Sequence, residues 1–320
     1  MTGSGEWQFV LFALACGFSE VTSGLVGTVP MLAGAILQLL TPWGVRRAGS
    51  LRTWVWMCAA IQSVMLLILS IAAFLGGLGV PALYLLVAGY WASGYMTGPP
   101  WTAWLTSLVP DQVRAKFWVK RSRWIQGSLA LGLCAGLILQ LGEYWEIPLI
   151  AFGVVFAIAA IARAVSTWCL SRQSEPEQAL INDLRMPSLA TVKEHFSDRR
   201  TRGLLLYMLA FFMSVFVAAP FFGPYLREQL QFEYWQIFAI TGTTFVSKII
   251  LMPWVGKIAD QHGPARVLWI GAILLVPAAA LWSVSTSFWW LLALQFYVGF
   301  GWACWENGSF LLVFDFIPAD

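Results

Sequence analysis

The chain has 320 residues, of which 59% are hydrophobic and only 11% are charged, and its net charge is +3. These proportions lie far outside those of soluble domains, because too few polar residues remain to cover a water-exposed surface. In a bilayer core no water satisfies backbone groups, so long apolar stretches must form helices, each of about 20 residues. The composition therefore excludes a soluble globular protein and predicts an all-α, polytopic membrane protein.

Neither the cysteines nor the basic residues indicate a cofactor or nucleic-acid site. The cysteines stand singly inside apolar segments, without the short pairings of disulfide and metal frameworks, and we interpret them as packing residues. They are Cys16, Cys58, Cys134, Cys169 and Cys304. The basic residues cluster beside apolar segments rather than on one nucleic-acid-binding face. We expect no cofactor, no metal and no nucleic-acid partner, and the lipid bilayer as the surroundings.

Nine apolar segments are long enough to cross a bilayer. They are residues 21–41, 53–75, 81–109, 124–142, 147–170, 204–226, 234–255, 267–285 and 288–314. Before them, residues 7–19 carry no charge but are only 13 long, which predicts half a helix. Residues 171–203 form the only long polar segment. We therefore predict an N-terminal bundle at 1–170, a central loop at 171–203 and a C-terminal bundle at 204–320.

The distribution of Lys and Arg tests these spans, because cytoplasmic loops carry an excess of both. Sixteen of the 19 basic residues fall in alternate loops: Arg46, Arg47, Arg52, Arg114, Lys116, Lys120, Arg121, Arg123, Arg172, Arg185, Lys193, Arg199, Arg200, Arg202, Lys257 and Arg266. The opposite loops carry only Arg227, together with acidic residues such as Glu143, while Arg163 and Lys248 fall inside spans. The pattern predicts that the first set of loops, including the central loop, is cytoplasmic.

Two blocks of the chain resemble each other as parallel repeats of one helical unit. Gly49 and Arg52 pair with Gly263 and Arg266, 214 residues later. Near the ends of the blocks, residues 109–110 match residues 317–318. The repeat predicts that the chain starts about halfway through a first helix and lacks two helices after its last span. We therefore expect about nine and a half of twelve spans.

The turn at residues 256–266, Gly-Lys-Ile-Ala-Asp-Gln-His-Gly-Pro-Ala-Arg, carries a glycine, an aspartate four residues on and a glycine three further. This pattern resembles the signature loop of the major facilitator superfamily, particularly its uncharacterised bacterial members. The resemblance covers the whole chain and implies two helical bundles that rock about a midplane site. It also implies a conformational-gate loop formed by Gly256, Asp260, Gly263 and Arg266. Gly263 would permit a tight turn, and Asp260 would sit against the positive N-terminus of a neighbouring helix.

The sequence departs from the family pattern at several positions. In the second block, Gln261 and Pro264 stand where the family usually has basic residues. In the first block, Arg46 stands in place of the aspartate and Pro42 in place of the first glycine. A cytoplasmic latch is therefore not expected from the first-block turn.

Two ionisable side chains lie inside spans, where their cost makes each a candidate functional residue. Lys248 is eight residues from Gly256 and Glu306 is nine from Asp315, which places both on the order of 12 Å inside the cytoplasmic boundary. We expect the two to be able to pair, with Glu306 on a cavity-lining helix if the resemblance holds. The alternatives are a structural salt bridge and a snorkelling lysine.

The repeat supports the same region, because residues 306–308, Glu-Asn-Gly, align with residues 98–100, Gly-Pro-Pro. Broken helices at matched points of two repeats indicate a transporter binding site, although packing kinks are the alternative. Asn307 joins the candidates on this ground. Trp302, Trp305 and Trp101 would offer stacking or cation–π surfaces, with ordinary helix packing as the competing interpretation.

The leading functional hypothesis is a secondary transporter that moves a small solute across the cytoplasmic membrane of a bacterium by alternating access. A proton-coupled mechanism would use Glu306 as its titrating carboxylate. A membrane-embedded enzyme would need a cluster of reactive side chains at one depth. The only histidines, His195 and His262, both fall in predicted loops. The third hypothesis is a non-transporting fragment of a transporter.

Overall fold

The computed structural model describes residues 2–109, 124–125, 127–129, 131–132, 135–174 and 197–316. Within these ranges the chain is helical, with turns and short connections and no strand. The helices are α1 (Thr2–Ala15), α2 (Glu20–Val26), α3 (Val29–Leu37), α4 (Thr41–Ala48), α5 (Leu51–Phe74), α6 (Val80–Leu108), α7 (Ala135–Tyr144), α8 (Pro148–Ser171), α9 (Arg199–Ala218), α10 (Tyr234–His262), α11 (Pro264–Leu275), α12 (Ala278–Trp282) and α13 (Phe288–Phe316).

The predicted spans are confirmed as helical where the structure describes them, and span 124–142 is described only in part. Spans 53–75, 81–109, 147–170, 234–255 and 288–314 each correspond to one helix, whereas spans 21–41, 204–226 and 267–285 are each divided into successive shorter helices. Five helical stretches in the described ranges are long and apolar enough to cross a membrane: Glu20–Ala48, Leu51–Phe74, Pro148–Ser171, Tyr234–Ala259 and Pro264–Trp282. The helices α6 and α13 each have 29 residues and match two further predicted spans. The fold is therefore an all-α, polytopic membrane fold.

The chain divides into two compact units. The first unit comprises residues 1–125 and 138–228, and the second comprises residues 126–137 and 229–320. The second unit thus begins later in the chain than the predicted C-terminal bundle, which starts at residue 204. Helix α9 groups with the first unit, and the functional division at 171–203 stays a prediction.

The core of the first unit is aromatic and lies where α1, α6 and α8 meet. Phe9 and Phe12 of α1 are almost completely buried against Phe152 and Phe156 of α8. Tyr90 of α6 meets the edge of Phe9 with ring centroids 5.2 Å apart. Each such ring buries a large apolar area, and edge-to-face contacts add a favourable quadrupole term. This cluster fixes the short α1 to the longer helices.

Serine hydroxyls join α5 to α8 in the first unit. Ser70 Oγ donates to the carbonyl of Gly153 at 2.8 Å, and Ser63 Oγ donates to the carbonyl of Ala160 at 2.9 Å. Between apolar helices such bonds replace the hydrophobic driving force that water supplies to soluble proteins, and each contributes about 0.6 kcal/mol. The small polar residues Ser63 and Ser70 therefore hold α5 against α8.

The second unit is held by close helix crossings at glycines. A Cβ on Gly299 of α13 would lie 2.6 Å from the carbonyl oxygen of Thr244 on α10. A Cβ on Gly308 would lie 2.5 Å from the backbone nitrogen of Leu268 on α11. Small residues at such positions let two helix backbones approach closely. Helix α13 therefore packs directly against both α10 and α11.

The two turns that the predicted repeat matches each have a positive-φ glycine directly after a helix. Gly49 has φ +67° and follows α4, and Gly263 has φ +81° and follows α10. Both angles lie in the region that favours glycine. A new helix begins within two residues in each case, at Leu51 and at Pro264. The proposed match between residues 109–110 and 317–318 lies largely outside the described residues.

Candidate functional site

The two ionisable side chains predicted inside spans form an ion pair in the second unit. Lys248 Nζ on α10 lies 2.7 Å from Glu306 Oε1 on α13. The residues are 58 apart in sequence and meet because α10 and α13 pack against each other at small residues such as Gly299. The predicted pairing is therefore confirmed as geometry. In a bilayer this contact neutralises two charges that would each be costly alone.

Aromatic rings enclose the lysine. Its Nζ lies 5.7 Å from the ring centroid of Phe245 and 5.8 Å from that of Trp302. Both distances fall within the range of cation–π attraction. The side chain of Lys248 is 11% exposed, whereas that of Glu306 is 47% exposed. The buried partner is thus the cation, and the accessible partner is the carboxylate.

The other candidates of the second block, Asn307, Trp302 and Trp305, lie near this pair but make different contacts. Asn307 turns back onto its own helix, where Nδ2 donates to the carbonyl of Ala303 at 2.7 Å. Trp305 is only 2% exposed and meets Trp302 edge to face, with centroids 5.8 Å apart. Trp302 therefore reaches the charged pair, and Trp305 supports it from the core.

The first-block candidate, Trp101, belongs to a packing cluster in the first unit. It lies against the buried side chains of Val45, Leu51, Val55 and Trp104. Its partly buried indole contributes to the contact of α6 with α4 and α5. This contact agrees with the competing interpretation, ordinary helix packing, and a role of Trp101 in substrate binding stays a prediction.

The predicted breaks in the two long helices are corrected by the structure. Helix α6 continues through Pro99 and Pro100, and α13 continues through Glu306, Asn307 and Gly308. A proline leaves the carbonyl four residues earlier without its helical partner. For Pro100 that carbonyl belongs to Met96, and Trp54 Nε1 donates to it at 3.2 Å. A side chain from α5 thus satisfies the backbone group that would otherwise favour a break.

The charged pair has no counterpart at the matched positions of the first repeat. The offset of 214 places Gly34 opposite Lys248, and the alignment of residues 98–100 with 306–308 places Gly98 opposite Glu306. Gly34 is buried, and a Cβ there would lie 2.8 Å from the backbone nitrogen of Ala92 on α6. The same type of helix crossing therefore folds without any charge.

The gate-loop candidates occupy the end of α10 and the start of α11. Helix α10 runs to His262, so Gly256 and the backbone of Asp260 are helical, and the turn itself reduces to Gly263. The side chain of Asp260 lies outside the described set. Arg266 is exposed in the first turn of α11, where a basic residue is unfavourable to the helix dipole. Gly263 permits the tight turn through its positive φ, as predicted.

Two features of the first unit were not predicted as interactions. Arg227 forms an ion pair with Glu143, which neutralises the single basic residue of the predicted non-cytoplasmic loops. Arg163 of α8 is half-buried, and its Nε has no hydrogen-bond partner in the described part of the chain. The acidic residues of the predicted non-cytoplasmic loops made a partner for Arg227 foreseeable from the sequence. The burial of Arg163 depends on the rotation of α8, which the sequence does not reveal.

The fold is that of a polytopic helical membrane protein, and comparison with known proteins gives its family. A model of the Major Facilitator Superfamily matches residues 17–320. The chain belongs to this superfamily. It is an integral membrane protein with the fold of those transporters.

Solved structures share the fold at low sequence identity. A mutant of the nucleoside transporter NupG has a TM-score of 0.73 and 13% identity, over 98% of this chain and 80% of that chain. A D-xylose-proton symporter has a TM-score of 0.71 and 16% identity, over 99% of this chain and 79% of that chain. Identities this low establish the fold alone.

A curated relative from Danio rerio, the putative transporter SVOPL, is 32% identical over 97 residues. The match covers 30% of this chain and 19% of that protein. The chain therefore aligns with less than a fifth of that relative's length.

Proposed function

We propose that the chain is a secondary transporter that moves a small solute across a bacterial cytoplasmic membrane by alternating access, with the Lys248–Glu306 pair at its working site. The observation that carries the proposal is this ion pair between two long helices of the second unit, α10 and α13. In the first repeat the matched crossing of α3 and α6 is made at Gly34, and Gly98 stands at the position that matches Glu306, so neither matched position carries a charge. Costly charges that a fold does not need are explained by function.

Proton coupling follows from the chemistry of the same pair. Glu306 is paired with Lys248 in the described part of the chain, and its carboxylate is half exposed. Protonation of Glu306 neutralises its carboxylate and removes the electrostatic attraction between Glu306 on α13 and Lys248 on α10. Proton arrival and release at Glu306 would therefore switch α10 and α13 between a paired and an unpaired arrangement, which is the two-state element that coupling requires.

The turn between α10 and α11 is the proposed conformational gate. Gly263 provides the sharp reversal, while Gly256, Asp260 and Arg266 lie within two turns of it. Asp260 lies near the C-terminus of α10, where a negative charge is unfavourable unless a helix N-terminus or a cation faces it. This conflict suits a contact that forms in one state and breaks in the other. The basic loops, including residues 171–203, are assigned to the cytoplasmic side.

The proposal is tested with the purified chain in proteoliposomes that carry an internal pH dye. The first solutes are D-xylose and nucleosides, since relatives of the same fold bear those names, followed by small amines. We expect solute uptake that acidifies or alkalinises the lumen, and we expect Glu306→Gln to uncouple proton movement from solute movement. The matched control is Glu146→Gln, the same chemical change at an exposed residue of the α7–α8 turn.

The outcomes separate the parts of the proposal. Uptake and proton movement that survive Glu306→Gln unchanged would remove Glu306 from the mechanism. A loss of coupling in both variants would indicate a general effect of carboxylate removal. Failure of the chain to move any solute, while it remains folded, would favour a non-transporting role.

A further inference from the structure

The side chains around Lys248 Nζ have the chemistry of an ammonium-binding site. Its Nζ contacts a carboxylate oxygen of Glu306 at 2.7 Å and faces the rings of Phe245 and Trp302 at 5.7 and 5.8 Å. A carboxylate together with aromatic faces is the combination that recognises organic cations. The groups that would bind an ammonium ion are thus together around the Nζ of Lys248, which now takes that position.

The exposure of the two partners indicates the charge of an incoming ligand. Glu306 is 47% exposed, whereas Lys248 is 11% exposed. A solute that reaches the pair therefore meets a carboxylate first. An anion would be repelled by that carboxylate and would have to displace it from a buried ammonium. A cation is attracted to Glu306 and needs only to replace Lys248 there.

We propose that the pocket formed by Glu306, Trp302 and Phe245 is a binding site for a small organic cation with a primary ammonium group. This inference rests on the proposed transport function, because it names the substrate class of the same site. Lys248 acts as a tethered competitor, and the substrate takes its place when it binds. Release of the substrate restores the internal ion pair, so the empty site is never left with an unpaired carboxylate.

The tethered lysine lowers the apparent affinity for a free amine. A group held on the same molecule competes at a high effective concentration, on the order of millimolar or more. Only the small fraction of molecules with Lys248 displaced is competent to bind, and the apparent affinity falls by that fraction. Removal of the lysine side chain should therefore strengthen amine binding at the site.

The test is chemical complementation of Lys248→Ala in detergent. The substitution removes Cγ, Cδ, Cε and Nζ, and n-propylammonium supplies the same three carbons and nitrogen. Binding is measured by calorimetry and by the fluorescence change of tryptophan, since Trp302 faces the site. We expect Lys248→Ala to bind n-propylammonium at least tenfold more tightly than the unmodified chain. Neither 1-propanol nor propionate should show this gain.

Second substitutions identify the pocket. Glu306→Gln added to Lys248→Ala should abolish amine binding, and Trp302→Leu added to it should weaken binding roughly fivefold. Lys248→Met fills the pocket with an apolar side chain of similar length and should bind no amine, while it shows that loss of the charge leaves the chain folded. The propionate affinity of Glu306→Ala is measured in parallel.

The inference is overturned if Lys248→Ala remains folded and binds n-propylammonium no better than the unmodified chain. It is also overturned if Glu306→Ala gains propionate binding while Lys248→Ala gains no amine binding, because the site would then be anionic in its specificity. The readout is equilibrium binding and does not depend on flux. Amine binding without transport would overturn the proposed function alone, and transport of a neutral solute without amine binding would overturn this inference alone.

Discussion

A side chain at Gly271 would collide with Trp305, because the Cβ position of Gly271 lies 2.4 Å from the backbone nitrogen of Trp305. The same position lies 2.8 Å from the carbonyl oxygen of Gly301. The obstacle is backbone on α13, which cannot move aside as a flexible side chain does. The crossing of α11 and α13, which carries the tryptophan next to Glu306, thus depends on the absence of one methyl group.

We expect Gly271→Ala to lower the stability of the second unit by about 1–3 kcal/mol, the usual cost of an overpacked contact. The measurement is the midpoint of thermal or SDS unfolding in detergent micelles. The control is Gly256→Ala on α10, which meets no atom within 4 Å. That variant should be neutral or more stable by up to about 1 kcal/mol, because alanine favours the helix. Equal effects at the two sites would show that α11 and α13 do not cross as described.

The two positive-φ glycines should differ in what they tolerate. Gly49 has φ +67° and ψ +9°, a left-handed conformation that asparagine also adopts. Gly263 has φ +81° and ψ +161°, a region that is essentially restricted to glycine. We expect Gly49→Asn to cost a few tenths of a kcal/mol and Gly263→Asn about 1–3 kcal/mol. Unfolding midpoints of the two variants give the comparison directly, and a tolerant Gly263 would contradict the described turn.

Removal of either partner of the Lys248–Glu306 pair should have unequal effects on stability. Glu306→Gln leaves a buried ammonium without its carboxylate, whereas Lys248→Met leaves a carboxylate that is already half exposed. We expect the first change to cost on the order of 2 kcal/mol, less than for a fully buried pair, and the second to cost little. The double variant should be more stable than Glu306→Gln alone. If Lys248→Met proved less stable than Glu306→Gln, this would contradict the side-chain exposures on which the cation-binding inference rests.

The sequence predicted the helices and the pairing of the charged residues because both depend on spacing along the chain. Lys248 lies eight residues from Gly256 and Glu306 lies nine from Asp315, and these spacings allowed the two side chains to meet. Which partner is exposed depends on the rotation of each helix, and a shift of one residue turns a side chain by about 100°. Trp101 illustrates the limit, since its position in sequence does not reveal that it packs against the buried cluster around Trp104.

The continuity of α6 also depends on a contact that the local sequence does not contain. Two adjacent prolines predict a break, but Trp54, 42 residues before Met96, donates to the freed carbonyl. We expect Trp54→Phe to cost about 1 kcal/mol beyond its packing effect, because the carbonyl of Met96 then lacks a donor. In a Pro100→Ala background the helix supplies its own N–H group. The double-mutant cycle should therefore show a coupling of about 1 kcal/mol, and strict additivity would mean that Trp54 acts through packing alone.

Arg163 is the remaining charge inside a span, and its described environment offers no acidic partner. It lies eight residues before the end of α8, on the order of 12 Å from the boundary, and its Nε is buried without a hydrogen bond in the described part of the chain. A guanidinium in such a place costs stability unless it serves another purpose. We expect Arg163→Met to raise the free energy of unfolding by roughly 1–2 kcal/mol, seen as a higher unfolding midpoint, because a flexible apolar side chain fills a similar volume. Arg163→Lys keeps the charge and should give no such gain. If Arg163→Met instead destabilises the chain while Arg163→Lys does not, the charge at this position is itself stabilising, and Arg163 joins Glu306 and Lys248 as a residue to be tested for transport.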